Sequence, residues 1–150
     1  MPSLYEHLQK QICETNLSAE EKQIASTLIG SLDEKGFLTT PLEELSALLS
    51  RPIAQIEAIL SLVQSFDPPG IAARSLQESL LIQLQKKQME SSLAYQIVAH
   101  HFADLLHGRY THLKKALHIE QSHLTHAIEQ LARLSLRPAA PFEKITAPTA

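Results

Sequence analysis

Apolar side chains recur at helical spacing along almost the whole chain, separated by short polar runs. Residues 3–13 place Leu4, Leu8 and Ile12 four apart, one stripe on a helix. Ser18 opens the next helix. Glu21 stands three residues on, so each side chain can satisfy a backbone N–H of the other's residue, a capping box. Ile24, Leu28, Ile29 and Leu32 then share a face. Asp33-Glu34-Lys35-Gly36 predicts a turn in which Gly36 takes positive φ, and Phe37-Leu38 a short extended piece packing inward. Thr40-Pro41-Leu42-Glu43 supplies an N-cap at Thr40, a proline at the first helical position and a carboxylate at the third, for a helix ending near Leu49. Ser50-Arg51-Pro52 breaks it. Residues 53–66 follow with Ile53, Ile56, Ile59, Leu60, Val63 and Phe66 as a strong stripe. Asp67-Pro68-Pro69-Gly70 stops that helix, because proline lacks the N–H and restricts the residue before it.

The second half reads the same way. Leu76, Leu80, Leu81 and Leu84 mark a helix over about 73–87, with Leu76, Leu80 and Leu84 facing inward. Residues 86–92 are a polar bridge. A long helix is expected over about 92–107, ended by Gly108, and two more over 110–117 and 121–134. The Pro/Ala/Thr-rich residues 138–150 have no period and read as an extended linker or tail. The expected fold is therefore all-α: two small helical-bundle subdomains, 1–66 and 67–137, hinged near Asp67–Gly70.

One internal repeat stands out. Shifted by 68 positions without a gap, Leu45, Leu49, Ile56, Leu60, Val63 and Phe66 fall on Leu113, Leu117, Leu124, Ile128, Leu131 and Leu134. Both segments have the outline of a helix-turn-helix: short helix, tight turn, longer helix. Neither second helix suits DNA reading, which needs polar and basic side chains beside phosphates. Residues 53–66 carry one charge, Glu57, of the wrong sign; residues 120–134 carry Glu120, Glu129 and Arg133. Both units are expected to serve packing and protein contact.

Composition narrows the function. The chain has 150 residues, 44% of them hydrophobic, too many for a disordered tail. The net charge of −3 is unevenly spread: residues 1–66 hold 9 acidic and 4 basic side chains, residues 67–150 hold 7 and 9. An acidic balance opposes a phosphate-binding module. Cys13 is the single cysteine, so no internal disulfide forms; a reducing, cytoplasmic setting and a buried or half-buried thiol are expected. No run approaches the roughly 20 apolar residues of a membrane span, and the first residues carry no secretory signal.

Candidate chemistry is sparse. His123 and His126 lie three apart on one helix, but zinc needs further ligands and no cysteine is near. His100 and His101 are adjacent and point about 100° apart. HExxH, GxSxG and phosphate-cradling glycine loops are absent. Carboxylate pairs such as Glu20-Glu21 and Glu43-Glu44 sit at helix starts, where the helix dipole accounts for them. No metal, cofactor or catalytic residue is expected, and the chain reads as a protein-binding module rather than an enzyme.

The most specific string is DPPGIAARSLQESLLIQL at 67–84, a rigid corner feeding a Leu-rich helix. It resembles the most recognisable stretch of the core-binding region in the enhancer-dependent, nitrogen-regulation class of bacterial sigma factors. SLYEHLQKQ at 3–11 resembles the start of that region. IGSLDEKGFL at 29–38 resembles its Leu-Asp…Gly-Tyr-Leu turn, with Phe37 for the usual Tyr. LSLRPAAPF at 134–142 resembles its Leu-x-Pro-Lys-Pro-Gly exit, with departures. Ser79 stands where the family often has Cys, another small residue. Order and spacing agree over residues 3–142.

The resemblance implies docking on core RNA polymerase for transcription initiation. In the whole factor, other regions recognise promoter DNA and answer an ATP-driven activator. Neither an activator-responsive segment before residue 3 nor a basic promoter-reading domain after residue 142 is visible, so the chain is expected to be an excised domain that binds polymerase, does not read promoter DNA specifically, and is a monomer. Docking needs exposed anchors on a rigid frame, and the candidates are Asp67, Pro68, Pro69, Gly70, Arg74, Gln77 and Glu78. The acidic first half could meet basic polymerase surface; Lys86, Lys87, Arg109, Lys114 and Lys115 could approach nucleic acid or an acidic element. The competing readings are a DNA-binding helix-turn-helix regulator, which would shift duplex DNA alone, and a metal-dependent helical enzyme, which would carry bound metal.

Overall fold

A computed structural model of the chain describes residues 3–142. Among them are nine α-helices, a terminal 3-10 turn at Ala140–Phe142, and one isolated bridge, between Leu32 and Leu38. The expected all-α class holds. The chain divides into two compact units, Met1–Ser75 with Arg137–Ala150, and Leu76–Leu136.

The first unit holds α1 (Leu4–Cys13), α2 (Ala19–Gly30), α3 (Leu42–Leu49) and α4 (Ile53–Gln64). Ser3 caps α1, and the Ser18–Glu21 capping box opens α2 as predicted. Thr40 is not the cap of α3. Pro41 takes the extended N-cap position, and α3 starts at Leu42 with no side-chain cap. Leu8, Ile12, Ile24, Leu28, Leu38, Leu45, Ile56 and Ile71 are its largest fully buried side chains. Each such burial stabilises the fold by about 1.5–3 kcal/mol. Cys13 follows Ile12 by about 100° of helical turn. It is therefore exposed, against expectation.

The second unit holds α5 (Leu76–Lys86), α6 (Leu93–His100), α7 (Phe102–Leu106), α8 (Tyr110–Leu117) and α9 (Gln121–Ala132). Its core gathers Leu80, Leu84, Ile97, Val98, Leu113 and Leu124. The single long helix expected over 92–107 is two helices. His101 leaves the helical region at φ −136, ψ 29. No proline or glycine marks the break, but His100-His101-Phe102 is a run of side chains with modest helix propensity.

The boundary between units differs from the expected 66/67. Residues 67–75 stay with the first unit because Ile71, Ala72 and Ala73 are fully buried in it. Ala72 N–H donates to Gly36 O at 2.8 Å, and Leu38 N–H to Ala73 O at 2.8 Å. Backbone committed to that pairing is unavailable to a helix, so α5 begins at Leu76 and not near 73. The expected tail is corrected likewise. Pro138 and Ala139 are buried, and Ala139 N–H donates to Lys35 O at 2.9 Å. The rings of Phe142 and His7 lie 4.9 Å apart. The rest of that tail, 143–150, lies outside the described residues.

The repeat is more extensive than its leucines. Shifting α3 and α4 by 68 gives the bounds of α8 and α9 at all four ends. The turn residues match in backbone: Ser50 at φ 54 and His118 at φ 55 are both left-handed. Arg51 N–H donates to Ser46 O, and 68 residues on Ile119 N–H donates to Lys114 O. The axes of α3 and α4 bend by 112°, within the range of a helix-turn-helix.

Candidate protein-docking site

The corner at 67–74 is held from several sides. Gln11, one turn after His7 on α1, turns its amide onto the backbone of Asp67. Its Nε2 donates to Asp67 O at 2.8 Å, and its Oε1 accepts from Asp67 N–H at 2.9 Å. Gln64, the last residue of α4, donates from Nε2 to Ala72 O at 3.1 Å. Beyond the clamp, the Asp67–Pro68 peptide bond is cis, and Gly70 (φ 86) and Ala72 (φ 64) are left-handed. Ile71 N–H donates to Pro68 O at 3.2 Å. These bonds fix the corner's backbone and leave some of its side chains facing water.

Beneath the corner sits the turn at 33–38. Asp33 Oδ1 accepts from Lys35 N–H and Phe37 N–H, each at 2.9 Å, and Gly36 takes φ 96. Gly36 is buried against Ile71 and Ala139. The three strings at 29–38, 67–73 and 137–142, distant in sequence, thus converge on one place in the first unit.

The seven candidate residues do not form one class. Asp67, Pro69 and Arg74 are exposed, Pro68 is half-buried and Gly70 is buried. Gly70 therefore shapes the turn and offers no side chain. Gln77 and Glu78 belong to the second unit, both half-buried. The Gln77 amide is committed to structure, donating to Val98 O at 2.8 Å and so tying α5 to α6. Arg74 forms a wall of an open pocket of about 340 Å³ in the first unit, together with Leu38, Leu42, Glu43, Ile53 and Glu57.

Sequence reasoning missed Gln11. No local signal pointed to it, since its partner lies 56 residues on; Gln83 makes the same kind of clamp in its own unit. Removing the amide by Gln11→Ala should cost about 1 kcal/mol, because water can reach the freed Asp67 groups. Urea unfolding checks the value, and hydrogen exchange at Asp67 should accelerate.

Among the described residues no group of three or more histidine, cysteine or carboxylate side chains could hold a metal ion. No single helix there is long and apolar enough to cross a membrane. The described residues define a class: an all-helical domain built on a repeated helix-turn-helix unit. The chain belongs to the family described as the sigma-54 factor core binding domain, which matches residues 1–149. It is 35% identical over 146 residues to the RNA polymerase sigma-54 factor of Bacillus subtilis, covering 95% of this chain and 33% of that protein. It is 34% identical over 140 residues to that of Acidithiobacillus ferridurans, covering 91% and 30%. The chain thus spans about a third of the length of these curated relatives. A solved structure of the core binding domain of sigma54 matches with a TM-score of 0.52 at 25% identity, over 93% of this chain and 95% of that one. Sigma factors are a family of transcription factors, not catalysts.

Proposed function

We propose that this chain docks an enhancer-dependent sigma factor onto core RNA polymerase for transcription initiation, in the bacterial cytoplasm. The observation that carries the reading is family membership across residues 1–149, with the family's most specific string folded into a braced corner. Asp67, Pro68, Pro69, Gly70, Arg74, Gln77 and Glu78 are the proposed docking residues. Asp67, Pro69 and Arg74 supply contact, whereas Gly70 and Gln77 hold the shape. The chain acts as a monomer, carries no catalytic activity and does not read promoter DNA by itself. The exposed face of α4 supports the last point, its one charge being Glu57.

Co-elution of the purified chain with bacterial core RNA polymerase tests the reading. The wild type is expected to co-elute, and Arg74→Glu to bind about tenfold more weakly while keeping its helical signal. A folded wild-type chain that fails to co-elute overturns the proposal. Unweakened binding by Arg74→Glu removes the corner from the interface.

A further inference from the structure

The pocket beside Arg74 has a composition of its own. Its floor is aliphatic, from Leu38 and Leu42, both buried, and Ile53, which is 37% exposed. Glu43 on α3, Glu57 on α4 and Arg74, all three exposed, line it as well, together with Thr39 and Thr40. Neither carboxylate has a hydrogen bond or ion pair among the described residues. That contrasts with Glu20, whose carboxylate is engaged by Arg51. Elsewhere on α3, Glu44 and Leu48 are also exposed. Continuing from Ile53, the outer side of α4 is Ala54, Ala58 and Ser61, all exposed and small. Side chains of that size let a second helix approach closely, since interaxial distance follows the residues at the contact.

The same scaffold in the second unit lacks this chemistry. Moving 68 residues on replaces Ile53, Ala54, Glu57 and Ala58 by Gln121, Ser122, Thr125 and His126. The acidic-apolar surface is therefore not a requirement of the helix-turn-helix fold, which forms equally well without it.

We infer that this groove on α3–α4 docks a basic amphipathic helix of core RNA polymerase, with a Lys or Arg of that helix entering the pocket. The inference rests on the polymerase-docking reading above. The aliphatic stem of such a side chain packs on Leu38, Leu42 and Ile53 while its cationic head meets Glu43 and Glu57. Apolar residues of the partner helix cover the Ala54–Ala58 surface. The surplus of carboxylates around the mouth steers a basic partner and disfavours an acidic one.

Two experiments test it on the whole chain. The Glu43→Lys/Glu57→Lys double variant changes two exposed side chains; Glu43 lies in the first turn of α3, so the variant should keep its helical signal but unfold at a somewhat lower urea concentration. Its affinity for core polymerase is expected to fall about tenfold at low salt, with the difference shrinking as salt rises. A photo-crosslinking residue in place of Ile53 is expected to label a polymerase helix rich in Lys or Arg. If the wild type binds and the folded double variant binds equally well, the groove is not the dock, although the docking reading survives. If the Ile53 probe labels a second copy of this chain, or an acidic or loop segment of polymerase, the named occupant is wrong. If the wild type does not bind at all, the docking reading and this inference fall together.

Discussion

Gly36→Ala should destabilise the first unit by about 3 kcal/mol, a large fraction of the stability of a small domain. Two costs add. At φ 96 an L side chain is strained, typically by about 1–2 kcal/mol. The new Cβ also lands 2.7 Å from Ile71 Cδ1, 3.1 Å from Ala139 N and 3.3 Å from Ala139 Cβ. The isoleucine terminus can swing aside. The Ala139 nitrogen cannot, since it is backbone bonded to Lys35 O. Overpacking of this kind costs about 1–3 kcal/mol more. Gly108→Ala separates the terms: Gly108 is also left-handed, at φ 66, but nothing lies within 4 Å of an added Cβ. It should lose only the backbone part, about 1 kcal/mol. Urea melts of both variants give the comparison, and equal losses would show that crowding at Gly36 contributes nothing. Because Gly36 O accepts from Ala72 N–H, the alanine variant should also loosen the corner and weaken polymerase binding beyond its loss of stability.

The sequence disclosed helices well and long-range bracing poorly, for a physical reason. Periodicity and capping are local, so the capping box at Ser18 and the stripes of α1, α4 and α9 were legible residue by residue. The 68-residue repeat was legible too, because core positions keep their spacing even where surfaces diverge. What failed were features decided by partners far along the chain. Ala73 and Arg74 have nothing against helix in their own chemistry, although Ser75 is a residue type that favours the position just before a helix. Ala73 is held out of it because its carbonyl accepts from Leu38 N–H. Pro138 and Ala139 resemble a linker in composition, yet they are buried because Lys35 and Gly36 form a site for them. Thr40 looked like a cap from local chemistry alone, and Pro41, already extended at φ −60, ψ 143, occupies that place. The candidate site was legible as a string but not as a surface. Burial separates Gly70 from Asp67, Pro69 and Arg74, and the Val98 carbonyl takes up the amide of Gln77.

Gln83→Ala should cost about 3 kcal/mol, several times the loss at Gln11, although both side chains make the same pair of bonds. In the second unit Gln83 Nε2 donates to Ser135 O at 2.8 Å, and Gln83 Oε1 accepts from Ser135 N–H at 2.8 Å. Ser135 lies 68 residues after Asp67, so the two glutamines hold equivalent exits from equivalent helix-turn-helix units. Burial decides the difference. Gln83 is only 4% exposed, also donates to the buried Ser79 Oγ at 3.2 Å, and makes its bonds to Ser135, an exposed residue, from that buried position, whereas Gln11 is half-buried and both it and its partner Asp67 reach water. Truncation at Gln11 leaves groups that solvent can satisfy. Truncation at Gln83 loses the bonds to Ser135 and Ser79, at about 1 kcal/mol, and opens a cavity at a buried position, which adds about 2 kcal/mol. Gln83→Leu keeps most of the volume and deletes only the bonds, so it should recover the cavity part and leave the polar loss. Denaturant unfolding of Gln11→Ala, Gln83→Ala and Gln83→Leu should rank them in the order Gln11→Ala mildest and Gln83→Ala most severe. Equal losses for the two alanine variants would mean that burial does not govern the clamp. A wild-type-like Gln83→Leu would mean that the buried amide serves as filler rather than as a brace for the exit at Ser135.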